Sequence, residues 1–374
     1  MRDYCYHCGR CSAVCPAGLT GPFRPRRLLL LAQLDPERLL SPGSDLTWEC
    51  TTCNACVDLC PQGMRPPEVA VLLRSRLVEA GRLPEPVNEA LKGIYRRGNP
   101  WGLPRAERAA WAAGLPLKPY QRGMEWLWFL GCAAAYDPRL QAAARALAKI
   151  LAHAGLEVGF LGERERCCGE PARRLGEEGL FQMLAEENSA QFNDLGAKKI
   201  LTACPHGYHA FKNEYPPLKA EVRHYTQLLA ELVRDRRLAF SEPEEELRVT
   251  YHDPCYLGRH NGIYEEPRLV LESLPGVELI EMPRNRDRSR CCGGGGGRMW
   301  AALNEQVRPS ELRLQEALET GAEALITACP FCTCHLEEAV KTLNLESEIR
   351  VLDLAELVAA RLARPGRAGS IELI

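Results

Sequence analysis

Eighteen cysteines stand in a chain of 374 residues, and they come in groups. The group with the most chemical content is Cys255 in YHDPCYLGR, the doublet Cys291-Cys292 in RCCGGGGGR, and Cys329 and Cys332 in ACPFC. Two adjacent cysteines do not both reach one tetrahedral metal without strain. A doublet flanked by a distant thiol and a C-x-x-C pair therefore points to an iron–sulfur cluster with several irons to ligate. His252 precedes Cys255 by three residues and His260 follows it, while His335 follows the spare Cys334. One of these histidines could deliver a proton to a leaving thiolate, which makes His252 a candidate catalytic residue; a hydrogen bond to sulfur or backbone is the plainer role. The glycine run 293–297 permits close backbone approach, positive φ and N–H groups aimed at sulfur, against the plainer reading of a flexible loop.

Two more groups open the chain. CYHCGRCSAVCP supplies Cys5, Cys8, Cys11 and Cys15, and CTTCNACVDLCP supplies Cys50, Cys53, Cys56 and Cys60, each run ending in proline. Both resemble the C-x-x-C-x-x-C-x-x-x-C-P run of bacterial two-cluster ferredoxins, in which the fourth thiolate crosses to the other cluster. That resemblance implies one 4Fe-4S cubane on Cys5, Cys8, Cys11 and Cys60 and a second on Cys50, Cys53, Cys56 and Cys15. A pair of zinc sites is the competing reading, and triplets of close cysteines argue against it.

Composition narrows the classes. Lys and Arg number 47 against 49 Asp and Glu, so no large basic surface for nucleic acid is indicated. So many thiols are too numerous for a reducing compartment unless they bind something, and too clustered for a secreted disulfide framework. Cys5 arrives before an apolar signal region could form, which places the thiols on a cytoplasmic, reducing side. The apolar run Leu28 to Leu31 is far below the ~20 residues of a membrane span, so the expectation is a soluble chain, peripheral on the inner membrane face only through a partner.

The elements that would position these residues follow a pattern. Between the two N-terminal runs lies a stretch with helical spacing, and PPEVAVLLRSRLVEAG reads as a helix from Pro66-Pro67 to Gly81. The domain reading is a two-cluster domain at 1–80, a connector at 81–125 with Trp101 and Trp111 as packing anchors, two α/β units at 126–240 and 241–363, and a tail at 364–374. The two units repeat one another: Cys168 to Cys292 spans 124 positions, Cys204 to Cys329 spans 125, and GAKKILTACP matches GAEALITACP. Strands alternating with helices imply small parallel sheets with the cysteines at strand C-terminal ends, where ligand crevices of such sheets lie. A duplicated pair should pack with pseudo-two-fold symmetry, giving an α+β and α/β molecule with a small helical domain in front.

Taken together, the doublets, YHDPCYLGRHNGIYEEPR and CCGGGGGRMW resemble the cysteine-rich CCG domains of heterodisulfide reductase catalytic subunits. They look especially like the membrane-linked reductase subunit and the related subunit of the sulfite-reductase-associated membrane complex. The resemblance spans nearly the whole chain and implies that Cys255, Cys291, Cys292, Cys329 and Cys332 hold a noncubane 4Fe-4S cluster, with one iron open to an outside sulfur. It also implies reduction of a disulfide by single electrons supplied from the cubanes, with thiolate held at iron between the steps. The first copy departs from this pattern. Cys132, Cys167, Cys168 and Cys204 are present, but Gly207 stands where the last cysteine of C-x-x-C would be. That site has three readings: a further iron–sulfur cluster, recruitment of His206 or His209, or a substrate pocket. Arg259, Arg268 and Arg298 could attract an anionic thiol. The functional expectation is a disulfide- or heterodisulfide-type reductase. The alternatives are a pure electron-transfer subunit of a quinone-linked membrane complex or the iron–sulfur subunit of a glycolate or lactate oxidising complex. Partners would be a flavoprotein or a membrane cytochrome or quinone-linked subunit, because CCGGGGGR lacks a dinucleotide-binding context.

Overall fold

The computed structural model describes residues 5–41, 46–301, 303 and 307–363. The tail 364–374 lies outside the described residues.

Proline sets the rhythm of the N-terminal part. Pro16, Pro25, Pro36 and Pro66 each open a helix (Pro16–Thr20, Pro25–Leu34, Pro36–Leu40, Pro66–Glu79), since proline's missing N–H is no loss in a first turn. Leu28, Leu39, Ala70 and Leu73 of these helices close over Phe23, Cys15 and Cys50 in one small core. The helix Glu85–Arg97 follows and ends at Gly98, whose φ of 73° makes it a left-handed C-terminal cap.

Two parallel sheets form the rest. The first runs β1-β3-β2-β4-β5, from β1 (Lys118–Pro119), β2 (Trp126–Phe129), β3 (Val158–Phe160), β4 (Lys199–Thr202) and β5 (Glu221–His224). The second runs β7-β6-β8-β9, from β6 (Leu247–Tyr251), β7 (Val277–Leu279), β8 (Ala324–Thr327) and β9 (Arg350–Asp353). Apart from the edge strand β1, the orders superimpose copy on copy. WLWF and ALIT are buried along their full length, as strands covered on both faces must be. Residues 81–125 contribute to this body: β1 pairs with β3, and Trp111 is buried edge-on against Trp128, 5.4 Å between ring centres. Trp101 instead stays 40% exposed at the rim, edge-on to Trp300.

The copies pack reciprocally. Helix Pro138–His153, whose Leu140, Ala144, Leu147 and Leu151 are buried, lies against the last helix, Leu354–Arg361; helix Tyr225–Arg234 lies against Glu265–Glu272. One apolar core runs through both copies. Arg139 crosses the boundary to Glu356 at 2.8 and 2.9 Å and to Glu337. Tyr225 donates to Asp353 Oδ1 at 2.8 Å, tying the copies together at the base.

Candidate metal centres

At the N-terminal end, Cys5, Cys8, Cys11 and Cys60 line one cavity of about 20 Å³, with Cys56 at its inner wall. Exposure falls steadily inward: Cys8 is exposed, Cys5, Cys11 and Cys60 are half-buried, and Cys15, Cys50, Cys53 and Cys56 are buried. Cys15 sits close enough to Cys53 and Cys50 that, after burial, their charges are what raise its pKa. Burial holds the Cys50 thiol up at about 11.

The second copy gathers its five cysteines at 5% exposure or less. Cys255 leaves the end of β6 and Cys329 the end of β8, while the doublet comes from the loop after β7. Cys255 and Cys291 Sγ are 4.0 Å apart, and Cys292 Sγ donates to Cys332 Sγ at 3.4 Å. Within the glycine run, the Gly293 N–H points at Cys291 Sγ at 3.4 Å. The run has a second task. A Cβ on Gly296, which has φ of 66°, would come within 2.6–2.9 Å of backbone atoms of Cys50 and Thr51, so only glycine lets this loop seat the N-terminal domain.

That seam brings two thiol groups together. Cys53 packs with Cys255, Tyr256 and Cys291 in one buried cluster. Thr52 Oγ1 and Tyr256 OH are 2.7 Å apart, and His260 Nε2 donates to Thr52 O at 2.9 Å. Arg259 donates from Nε to Cys53 O at 2.7 Å and from Nη1 to Ser289 O at 2.6 Å. A buried arginine, Arg74, completes it, donating to Thr47 O (2.6 Å), Cys50 O (2.7 Å), Gly296 O (2.5 Å) and Arg174 O (2.8 Å). Of the three arginines that could have met an anionic thiol, Arg259 gives Nε and Nη1 to carbonyls and keeps only Nη2 beside the thiols. Arg268 is buried and paired with Asp253 at 2.7 and 3.0 Å and with Glu281, where it braces the HDPC loop, and Arg298 is also buried.

His252 is fully buried, with one ring nitrogen and the Cys292 and Cys332 sulfurs within 4.8 Å of one another. Arg313 Nε donates to its Nδ1 at 3.2 Å. Burial, reinforced by the Arg313 charge, holds the imidazolium pKa down at about 3, so the ring is neutral with its proton on Nε2.

In the first copy Cys132, Cys167, Cys168 and Cys204 line a cavity of about 30 Å³ with Glu170, His206, Gly207, Trp101 and Phe331. Arg108 reaches Cys132 Sγ with both Nη atoms at 3.5 Å and pairs with the buried Glu165 at 2.5 Å. A hydrogen bond from Cys167, aided by the Arg108 charge, lowers the Cys132 pKa to about 7. His206 sits between the copies, its Nδ1 3.9 Å from both Cys204 Sγ and Cys329 Sγ, and its ring tilted against Tyr256 with ring centres 4.2 Å apart. His209 turns away, pairing with Glu214 at 3.4 Å.

The five-thiol centre fits an iron–sulfur group on chemical grounds. Two buried nitrogens at its edge, His252 Nε2 and Arg259 Nη2, have no hydrogen-bond partner among the described residues. Buried polar atoms are rarely left so, and a sulfur-rich anion among the thiols would satisfy them. Sequence spacing found the cysteines but not Arg74, Arg108 or Glu165. Charged residues in a polar stretch read as surface, and only the fold brings Arg108 to Glu165 across 57 positions.

Comparison with known proteins agrees with this architecture. The 4Fe-4S dicluster domain family matches residues 4–64, and the cysteine-rich (CCG) domain family matches twice, at 126–212 and 249–337. The chain is 36% identical over 412 residues to the EtfAB:quinone oxidoreductase of Syntrophomonas wolfei, covering 95% of this chain but 57% of that protein, so it spans little more than half that relative's length. It is 34% identical over 390 residues to a subunit of the dihydromethanophenazine:CoB–CoM heterodisulfide reductase of Methanosarcina barkeri, covering 96% of this chain and 94% of that one. A hypothetical protein from Helicobacter pylori shares the fold, with TM-score 0.59 at 10% identity over 91% of this chain and 68% of that one. The chain thus belongs to the heterodisulfide reductase-like family of iron–sulfur oxidoreductases, a 4Fe-4S dicluster domain followed by two CCG domains.

Proposed function

We propose that this electron-transfer protein interconverts a disulfide and two thiols at the Cys255/Cys291/Cys292/Cys329/Cys332 centre. A partner flavoprotein or membrane cytochrome or quinone-linked subunit would supply or remove the electrons. The observation that carries this reading is the seam: Cys53 of the dicluster domain packs directly on Cys255 and Cys291. When bound, the iron–sulfur groups would supply one-electron carriers at Cys5, Cys8, Cys11 and Cys60 and at Cys15, Cys50, Cys53 and Cys56. At the five-thiol centre the group, in the noncubane form the family resemblance implies, would supply an iron that accepts sulfur. Reduction consumes two electrons and two protons per disulfide.

The chain's own residues then have definite work. Arg74, Arg259 and the Thr52–Tyr256–His260 contacts hold the two thiol groups in register and exclude water from between them. His252, neutral and with Nδ1 engaged by Arg313, is a fixed polar neighbour of the Cys292 and Cys332 sulfurs rather than a source of a transferable proton. A second reading, a relay with no substrate of its own in a quinone-linked complex, rests on the likeness to the EtfAB:quinone oxidoreductase and on the missing thiol at Gly207.

The test is anaerobic reoxidation of the reduced, iron-loaded chain by a panel of small disulfides. Turnover with at least one, lost by about a hundredfold or more in Cys332→Ser, is expected. Reoxidation by a quinone analogue but by no disulfide would move the assignment to the relay.

A further inference from the structure

Cys8 is the one exposed cysteine of the eighteen, so the site it belongs to is where the thiol chain meets the outside. Its surroundings are cationic and partly apolar. Arg10, Arg26 and Tyr6 line the same cavity as Cys5, Cys8, Cys11 and Cys60, and Arg26 Nη1 donates to His7 O at 3.2 Å. Arg24 and Arg27, at the start of the Pro25–Leu34 helix, are exposed alongside. None of Arg10, Arg24, Arg26 and Arg27 has an ion-pair partner among the described residues. Arg65 is matched by Glu68, and Asp58 feels the Arg259 and Arg65 charges. Tyr6 is 68% exposed and Leu59, next to Cys60, 46%. The chain as a whole carries a net charge of −2, so this excess of cation is local.

We infer that the face around Cys8 is a docking surface for a redox protein presenting an acidic patch; this rests on the reading that the Cys5/Cys8/Cys11/Cys60 site exchanges electrons with a partner. Uncompensated arginines of one sign steer an oppositely charged partner and fall silent in salt. Exposed Tyr6, in the same cavity lining as Arg10 and Arg26, and exposed Leu59 beside Cys60 supply the apolar contact that charge alone lacks. An anionic lipid surface would meet the same charges. It carries no electrons, however, and the charges are gathered on the thiol site that holds the exposed Cys8.

The test uses the iron-loaded full chain and a reduced plant-type ferredoxin, a small acidic redox protein, as probe. Electron exchange followed by stopped flow should slow about tenfold or more between ~0.01 and ~0.5 M salt, and by a similar factor at low salt in Arg10→Glu/Arg27→Glu. Reduction by photoreduced deazaflavin, a small neutral donor, should not change. Should the double variant lose iron, Arg27→Glu alone, outside the thiol cavity, must still slow exchange severalfold. A rate indifferent to salt and to both variants overturns the inference. So does the outcome in which the variants lose only binding to phosphatidylglycerol vesicles while ferredoxin exchange is unchanged. Failure of disulfide turnover would leave the exchange rates intact and so count against the proposed reaction alone.

Discussion

One position separates the cysteine sets of the two CCG copies: Gly207 where the second copy has Cys332. A Cβ built at Gly207 meets Thr202 Oγ1 at 3.7 Å and Cys168 Sγ at 3.9 Å, ordinary contacts that leave room for a thiol. Gly207→Cys should therefore fold and rebuild a five-thiol set beside a cavity already lined by the other four. Iron analysis is expected to give about twelve irons per chain for the native protein, as three four-iron groups, and about four more in the variant. Equal iron in the two proteins would show that the thiol at 207 is not what distinguishes the sites. His206 aligns with Phe331 in the repeat, which puts a polar ring between Cys204 and Cys329 where the other copy places an apolar one.

Among the elements, the helix Pro66–Glu79 does more than follow the second cysteine run. Its Arg74 is fully buried and fixes carbonyls from three separate loops, those of Thr47 and Cys50, Gly296 and Arg174. Arg74→Met keeps the volume but takes the donor from three buried carbonyls and one partly buried one, a loss of about 3 kcal/mol or more. Thermal unfolding should report that loss, together with weaker electron exchange between the dicluster domain and the second CCG centre. A variant as stable as the native protein would mean that the seam is held by the Cys53–Tyr256 packing alone. Much at this scale was legible in the sequence. The 124- and 125-residue offsets foretold two like sheets. Arg74 was not legible, because an arginine on an amphipathic helix reads as solvated until the loops that cover it are in place. Nor was β1, a two-residue strand containing proline, which has no periodicity to betray it. The joining of Cys53 to Cys255 was equally hidden, since nothing local to either motif encodes a contact across some two hundred positions.

At the scale of the whole molecule, two α/β copies lean on each other through paired helices, and the dicluster domain packs against both, with Trp48 and Leu77 on the first copy and Cys53 on the second. The mutual surface contains a titrating group. Burial raises the Asp353 pKa to about 7 although Tyr225 and the Ala355 N–H donate to it. Its folded value lies above its unfolded one, so the folded state binds the proton more tightly. Stability is greatest below about pH 4 as far as this group is concerned, and declines as pH rises toward 7. Asp353→Asn should flatten the change in melting temperature across that window, and an unchanged pH profile would show that Asp353 does not titrate there. Whether the five-thiol centre takes up an outside sulfur is read by electron paramagnetic resonance of the oxidised, iron-loaded protein with and without small thiols. A signal that depends on added thiol, survives Cys132→Ser and vanishes in Cys291→Ser is expected. A spectrum indifferent to every thiol, or a thiol-dependent signal that persists in Cys291→Ser, would contradict it.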